Sequence, residues 1–355
     1  MKTLTGEPLS LENLDSHHHV CDLINVQYPV LSLFTDGRQN WIYLWCDRSD
    51  AGLNRWLLFV VTRERLAKYL KGSEPMLSLV ENADFHWVLD DAANDYFLSQ
   101  PADAKRSRRY LRVVDLAQLE VYLPSEDSFF NEALTKDLDL TKQIVPQEFR
   151  LPIDGQWFSA DFQFLFRRYE RLYAFFYATR PRFVRSIEDT LSQLLRAPWT
   201  GGYSRVNLYQ RLYQQIPGIH ALRIPSMKYA SPGTIEFEAI PEIGDNIQEA
   251  TTLLLKHYAK IDAACKRVRK TLSSAHLNKT DLSSTPDDQI RLEAQSFKAI
   301  LEDCYFIGST LLVEDQFSTL RRHSPNTVVY GKAVVSFVRQ LDKFADLRRR
   351  HLVKP

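Results

Sequence analysis

The spacing of apolar residues changes along this chain, and that change limits the folds it can adopt. In the first third, short β-rich runs such as 41–46 and 56–61 alternate with turn residues. Beyond residue 160, apolar residues recur every three or four positions, which is typical of amphipathic helices. We therefore predict an α+β protein, with a small N-terminal antiparallel sheet module followed by a mainly helical body that contains a β-hairpin.

The N-terminal module is predicted to span residues 1–124. Its strands are expected at 30–34, 41–46, 56–61, 85–89, 110–114 and 120–123. The strand at 41–46 has apolar residues on both faces, so it should be central. Thr62 occupies an N-cap position for a helix at 63–71, which should cover one face of the sheet.

The remainder divides into a linker and two helical parts. Residues 125–146 are polar and acidic, which predicts a linker, and 278–288 is a second candidate loop. A helical domain with a β-hairpin is predicted at 147–278, and a C-terminal helical segment packing on it at 287–355. Helices are expected at 162–177, 182–195, 204–216, 244–275, 288–304 and 328–350, and the hairpin strands at 222–229 and 234–240.

Composition excludes several classes of protein. The 355 residues are 45% apolar and 25% charged, which is ordinary for a globular chain. Lys and Arg (45) balance Asp and Glu (44) to a net charge of +1, so any charged partner must be met by a local patch. No apolar run is long enough for a membrane span, residues 1–7 lack a secretory pattern, and the four cysteines form no C-x-x-C pair. We expect a cytoplasmic protein.

The common catalytic motifs are missing from the sequence. There is no phosphate-binding loop, dinucleotide-binding glycine motif, nucleophile elbow or H-E-x-x-H helix. Glu236 and Glu238 share one face of a predicted strand, which fits an edge strand with a solvated face better than an active site. His17, His18, His19 and Cys21 are interpreted as an exposed N-terminal loop, with a metal site as the alternative. We predict no catalytic residue, no metal and no cofactor.

Basic clusters support a nucleic-acid-binding hypothesis. The residues assigned to it are Arg106, Arg108, Arg109, Lys266, Arg267, Arg269 and Lys270. A third basic group, formed by Arg167, Arg168 and Arg171, lies opposite the aromatic stripe of the helix at 162–177. Each group could contact phosphates, although arginines opposite an apolar stripe also keep a helix soluble.

Tyrosines and arginines near two turns favour a protein interface. The predicted partner-binding residues are Tyr203, Arg205, Tyr229, Ser231 and Gly233. Tyr and Arg are frequent anchors of interfaces, and glycines allow close backbone approach. A half-buried domain junction is the alternative explanation for these residues.

Residues 28–80 carry Tyr28-Pro29-Val30-Leu31, Asn54-Arg55-Trp56-Leu57 and Thr62-Arg63-Glu64-Arg65-Leu66. This pattern resembles a small N-terminal module of a bacterial family of domains of unknown function. The resemblance implies a bacterial cytosolic protein with a recognition or docking module. Our leading hypothesis is a non-catalytic interaction or adaptor subunit of a bacterial cytosolic assembly, with a role in defence as one option. We expect it to bind another protein or itself and no membrane. The alternative is a nucleic-acid-binding or processing factor.

Overall fold

The chain forms two compact units. The computed structural model describes residues 10–26, 29–48, 53–91, 109–131, 147–180, 185–197, 208–278, 280–282 and 284–354. One unit comprises residues 1–146 with 217–220, and the other comprises 147–216 with 221–355. Apart from residues 217–220, the second unit therefore contains both the helical domain predicted at 147–278 and the C-terminal helical segment predicted at 287–355.

The first unit is built on a six-stranded antiparallel sheet in the order β1-β2-β3-β4-β5-β6. The strands are β1 (His18–Asn25), β2 (Pro29–Thr35), β3 (Asn40–Arg48), β4 (Asn54–Val61), β5 (His86–Asp91) and β6 (Arg109–Val114). Strand β3 lies between β2 and β4, which confirms its predicted central place. Trp41 and Tyr43 of β3 are buried beside Trp87 of β5, so aromatic rings fill much of this core.

Short helices accompany this sheet. They are α1 (Leu11–Leu14), α2 (Arg63–Leu70) and α3 (Met76–Glu81). The predicted cap of α2 is confirmed, because Thr62 Oγ1 accepts a hydrogen bond from the Arg65 backbone N–H at 3.4 Å. Leu66, Tyr69 and Leu70 are buried, as expected for the apolar face of an amphipathic helix.

Two local predictions for this unit are wrong. The strand expected at 120–123 belongs instead to a 3₁₀ helix (Leu116–Tyr122), whose start is fixed by the Asp115 N–H donating to Gln118 Oε1 at 3.2 Å. Of the residues expected in an exposed loop, His18, His19 and Cys21 lie in β1 and His17 directly precedes it. Polar side chains are accepted there because they find partners within the sheet. His17 Nδ1 lies 2.9 Å from the Tyr43 hydroxyl, and His19 Nε2 lies 2.8 Å from Asp22 Oδ1.

The second unit contains a three-stranded antiparallel sheet in the order β7-β9-β8. Its strands are β7 (Gln147–Ile153), β8 (Arg223–Lys228) and β9 (Gly233–Ala239), so the predicted hairpin is confirmed. Strand β7 was not predicted, and it makes β9 central. The expectation that Glu236 lies on an edge strand is therefore wrong. Its carboxylate accepts hydrogen bonds from Arg150 Nε at 3.0 Å and from Ser226 Oγ at 2.6 Å.

Helices form the rest of the second unit. They are α4 (Ser159–Ala178), α5 (Arg185–Arg196), α6 (Leu208–Gln214), α7 (Pro241–Ser274), α8 (Ala294–Leu311), α9 (Glu314–His323) and α10 (Thr327–Arg349). Helix α7 is interrupted at His257, where φ and ψ are −113° and 19°. Helix α10 is buried along most of its length, and Phe337 stacks on Phe175 of α4 at 4.2 Å. Packing between α4 and α10 positions the candidate site.

Candidate functional site

The predicted partner-binding residues fall into two groups. Tyr229, Ser231 and Gly233 lie among the described residues, whereas Tyr203 and Arg205 lie outside them. The Tyr229 side chain, directly after β8, is 54% exposed. Its hydroxyl accepts a hydrogen bond from the Trp157 backbone N–H at 3.2 Å, and its ring meets Phe162 edge-on at 5.9 Å. Tyr229 is thus held in place while half of its surface stays accessible.

Ser231 and Gly233 shape the turn between β8 and β9. The Ser231 hydroxyl donates to Asp154 Oδ1. Hydrogen bonds from Lys354, Ser231 and the Gly155 N–H lower the pKa of Asp154, so this carboxylate stays ionised. A Cβ atom on Gly233 would lie 2.5 Å from the Lys228 carbonyl oxygen, so only glycine fits there. These two residues have clear roles in the turn itself.

Strand β8 lies at an edge of its sheet and is exposed at all six positions. Its apolar side chains Ile224 and Met227 are 42% and 47% exposed. Pro225 and the irregular pairing between Arg223 and Ser226 are features that discourage addition of a further strand. A partner at β8 would therefore bind through side chains.

The residues of the nucleic-acid hypothesis are also divided. Arg106 and Arg108 lie outside the described residues, and for Arg109 the structure describes the backbone, which pairs with Asp91. Two of the cations in α7 have acidic partners: Lys266 Nζ lies 2.7 Å from Asp262 Oδ2, and Arg267 Nε donates to Asp303 at 3.0 Å. These hydrogen bonds raise the pKa values of both cations. Arg269 is partly buried and Lys270 is exposed.

Five cations from α4 and α10 lie together. They are Arg167, Arg168 and Arg171 of α4 and Arg339 and Lys343 of α10, called the basic cluster below. The two helices bring them together through a shared acceptor. Arg168 Nη1 donates to Gln340 Oε1 at 2.8 Å, and Arg171 Nη1 donates to the same oxygen at 3.5 Å. The Arg168 guanidinium also lies 4.9 Å from the centre of the Phe164 ring, so it is fixed from two sides.

Within the described residues, the basic cluster is only partly neutralised, by the charge of Glu170 near Arg167 and Arg171. Within the described ranges, none of its five cations forms an ion pair with a carboxylate. The acidic neighbour Glu170 is half-buried, and this burial raises its pKa despite the nearby charges of Arg167 and Arg171. Arg167 and Arg339 are exposed, so an anion can reach the cluster from solvent.

Mutual repulsion is visible in the acid–base properties of the cluster. Burial, together with the charges of Arg171, Arg167 and Arg339, lowers the pKa of Arg168 to about 10. Burial and the charges of Arg168, Arg339 and Arg171 lower the pKa of Lys343 in the same way. Arg168 Nε is also buried and makes no hydrogen bond within the described part of the chain. A bound anion would relieve this repulsion and supply an acceptor.

Sequence inspection finds three of the five cations of the basic cluster. Arg167, Arg168 and Arg171 are visible as a basic group on one helix, but nothing in the sequence links them to α10. Arg339 and Lys343 are four residues apart within a predicted helix, which places them on one face. That spacing is the one available signal for their part in the site.

Comparison of the chain with protein-family models, curated proteins and solved structures finds no match in any of the three. The resemblance of residues 28–80 to a bacterial module therefore stays a prediction. Among the described residues, no group of three or more His, Cys, Asp or Glu side chains could hold a metal ion. No helix in the same part of the chain has the length and apolar character needed to cross a membrane.

Proposed function

We propose that this protein binds nucleic acid through the phosphate backbone and that the basic cluster on α4 and α10 is the contact surface. The observation that carries the proposal is the convergence of five cations, none of which forms a direct ion pair with a carboxylate in the described ranges. Such a cluster raises the energy of the folded protein unless an anion binds to it. Guanidinium groups suit phosphate because their planar donors match two of its oxygens.

Nucleic acid fits this surface better than a protein carboxylate does. The cations are spread over two helices, so they can contact several successive phosphates of a nucleic-acid backbone. In the described part of the chain no base-reading element is identified, so we expect binding that is independent of sequence and sensitive to salt. The net charge of +1 means that the attraction comes from this local patch alone.

A matched pair of double variants tests the proposal. Arg339→Gln with Lys343→Gln removes two charges from the basic cluster, and Lys266→Gln with Lys270→Gln removes two from α7. Binding is measured by fluorescence anisotropy with a labelled DNA duplex of about 20 base pairs at about 50 mM KCl. The affinity for the duplex should fall roughly tenfold or more in the first variant and stay unchanged in the second. Equal losses in both variants would indicate a general charge effect and contradict the assignment. A loss confined to the second would place the site on α7.

A second proposal follows from the exposed strand β8 and Tyr229. Ile224, Met227 and Tyr229 form an apolar surface at one sheet edge, which supports a non-catalytic interaction subunit that associates with a second copy of itself. Sedimentation velocity over a range of protein concentrations should show a dimer that is lost in Ile224→Ser with Met227→Ser. A monomer at all concentrations, or a dimer that the substitutions leave intact, would contradict self-association through β8.

A further inference from the structure

A second candidate ligand site lies elsewhere in the second unit. A cleft of about 520 Å³ opens between α7 and the C-terminal end of α10. The residues that follow α10 and the residue that follows β7 form the rest of its wall. Its size falls within the range of small-molecule sites in proteins, which is roughly 300–1,000 Å³. Leu255 and Val353 provide apolar surface, and Arg348 provides a positive charge. Clefts of this composition bind molecules with both an apolar and an anionic part.

Arg348 is the most unusual residue of this cleft. It is 8% exposed, although arginines are almost never this deeply buried without an acidic partner. Its Nη1 donates to Thr252 Oγ1 at 2.8 Å, and its Nη2 donates to Gln248 Oε1. Both acceptors are neutral, and no carboxylate of the described residues pairs with it. The folded protein thus holds an uncompensated positive charge at the wall of the cleft.

Two buried polar atoms near this charge lack partners. Neither Arg348 Nε nor the Tyr169 hydroxyl makes a hydrogen bond within the described ranges. Burial lowers the pKa of Arg348 and raises that of Tyr169, and the two groups lie within electrostatic range of each other. The exposed Asp245 also lies within range of Tyr169. Buried polar groups are nearly always satisfied, so the unpaired Nε of Arg348, a residue that lines the cleft, points to a ligand that accepts hydrogen bonds.

The other charges of the cleft neutralise each other. Lys354 Nζ lies 2.7 Å from Asp154 Oδ2, and Ser231 donates to the same carboxylate. This arrangement leaves Arg348 as the one cation without a carboxylate partner among the described Asp, Lys and Arg residues that line the cleft. A ligand with a single negative charge would balance it.

We propose that this cleft binds a small organic carboxylate, with the carboxylate at Arg348 and a short apolar chain against Leu255 and Val353. A monocarboxylate matches the single charge, and its two oxygens match the planar guanidinium. The apolar wall favours a hydrocarbon chain over an inorganic anion. This site is independent of the basic cluster on α4 and α10.

Hexanoate is a suitable probe, with 1-hexanol and inorganic phosphate as its controls. Isothermal titration calorimetry should give a dissociation constant of about 1 mM for hexanoate, as expected for so small a ligand. Binding of 1-hexanol or phosphate should be at least tenfold weaker. Equal binding of hexanoate and 1-hexanol, tighter binding of phosphate, or no hexanoate binding at about 10 mM would overturn the proposal.

Two variants locate the probe. Arg348→Gln should weaken hexanoate binding at least tenfold, and Leu255→Glu should do the same by placing a negative charge on a half-buried wall without removing the arginine. The second variant keeps the test valid where the first fails to fold. Arg339→Gln with Lys343→Gln should leave hexanoate binding unchanged, which separates this site from the nucleic-acid proposal. Unchanged affinity in a folded Arg348→Gln or Leu255→Glu protein would overturn the assignment.

Discussion

Lys332 is a fully buried lysine in α10, one of the longest helices of the second unit. Its ammonium donates to the Thr280 carbonyl at 3.3 Å, and the charge of Asp281 lies nearby. Burial outweighs that charge and lowers the pKa of Lys332 to about 8. In the unfolded chain the same group keeps its ordinary pKa of about 10.4.

This difference predicts a pH dependence with a definite sign. Between about pH 8 and pH 10.4 the unfolded chain binds more protons at this site than the folded protein, so the free energy of unfolding rises with pH there. Relative to Lys332→Met, the wild type should gain about 2 kcal/mol of stability between roughly pH 7 and pH 9.5. Urea unfolding of both proteins at the two pH values measures it. A constant difference between them would show that Lys332 titrates normally in the folded protein.

At the scale of an element, Asn326 connects the start of α10 to residues that lie between α7 and α8 in the chain. Its Oδ1 accepts from the Val329 N–H at 2.8 Å as an N-cap. Its Nδ2 donates to the carbonyls of Leu282 and Thr285 at 2.7 and 2.8 Å. Asp287 adds a further link, because its Oδ1 accepts from the Thr327 N–H at 2.8 Å. Leu282, Thr285 and Asp287 are therefore tied to the start of the helix by hydrogen bonds.

Replacing this cap should destabilise the protein strongly. Asn326→Ala removes the cap and leaves two carbonyls without their donor, so we expect a loss of about 2–4 kcal/mol in unfolding free energy. Asn82→Ala is the matched control, because the exposed Asn82 side chain makes one hydrogen bond, to the Ser78 carbonyl. The Asn82→Ala variant should lose less than about 1 kcal/mol of unfolding free energy. Thermal and urea unfolding measure both, and equal losses would contradict the role given to Asn326.

The elements that could be predicted from sequence are those with an uninterrupted apolar pattern. Helices α4 and α10 and strands β3 and β4 are of this kind. Strand β1 carries histidines and Asp22, which become acceptable because Asp22 accepts from Ser32 Oγ at 2.8 Å across the strand pair. Strand β7 is exposed over its first residues and includes Pro152, so its pattern is short. The polar residues of β1 and β7 are tolerated because of neighbouring side chains, and the sequence alone does not identify those neighbours.

The candidate site shows the same limit. Arg168 and Arg339 lie in predicted helices, yet their proximity depends on the packing of Phe175 against Phe337. Local periodicity gives the face of each helix but does not say which helices pack together. The ion pair of Arg267 was equally hidden, because Asp303 lies on a different helix from Arg267. Asp262 and Lys266, in contrast, lie four residues apart on one helix, a spacing that the sequence shows.

For the whole molecule, near-neutral net charge and a concentrated basic cluster together predict weak but strongly salt-dependent binding. Counterions condensed on nucleic acid are released when cations replace them, so the logarithm of the binding constant falls linearly with the logarithm of salt concentration. The slope is about −0.9 for each phosphate contact on duplex DNA. Between three and five contacts are available from the basic cluster, which predicts a slope of roughly −3 to −4.5.

The most direct measurement of the central claim is this slope in the wild type and in Arg339→Gln with Lys343→Gln. Anisotropy titrations of a labelled duplex at several KCl concentrations provide it for both proteins. Our account predicts that the variant's slope is less steep by about 2, because two phosphate contacts are lost. An identical slope in the two folded proteins, or no binding by the wild type at about 20 mM KCl, would contradict the assignment of the basic cluster as a nucleic-acid-binding surface.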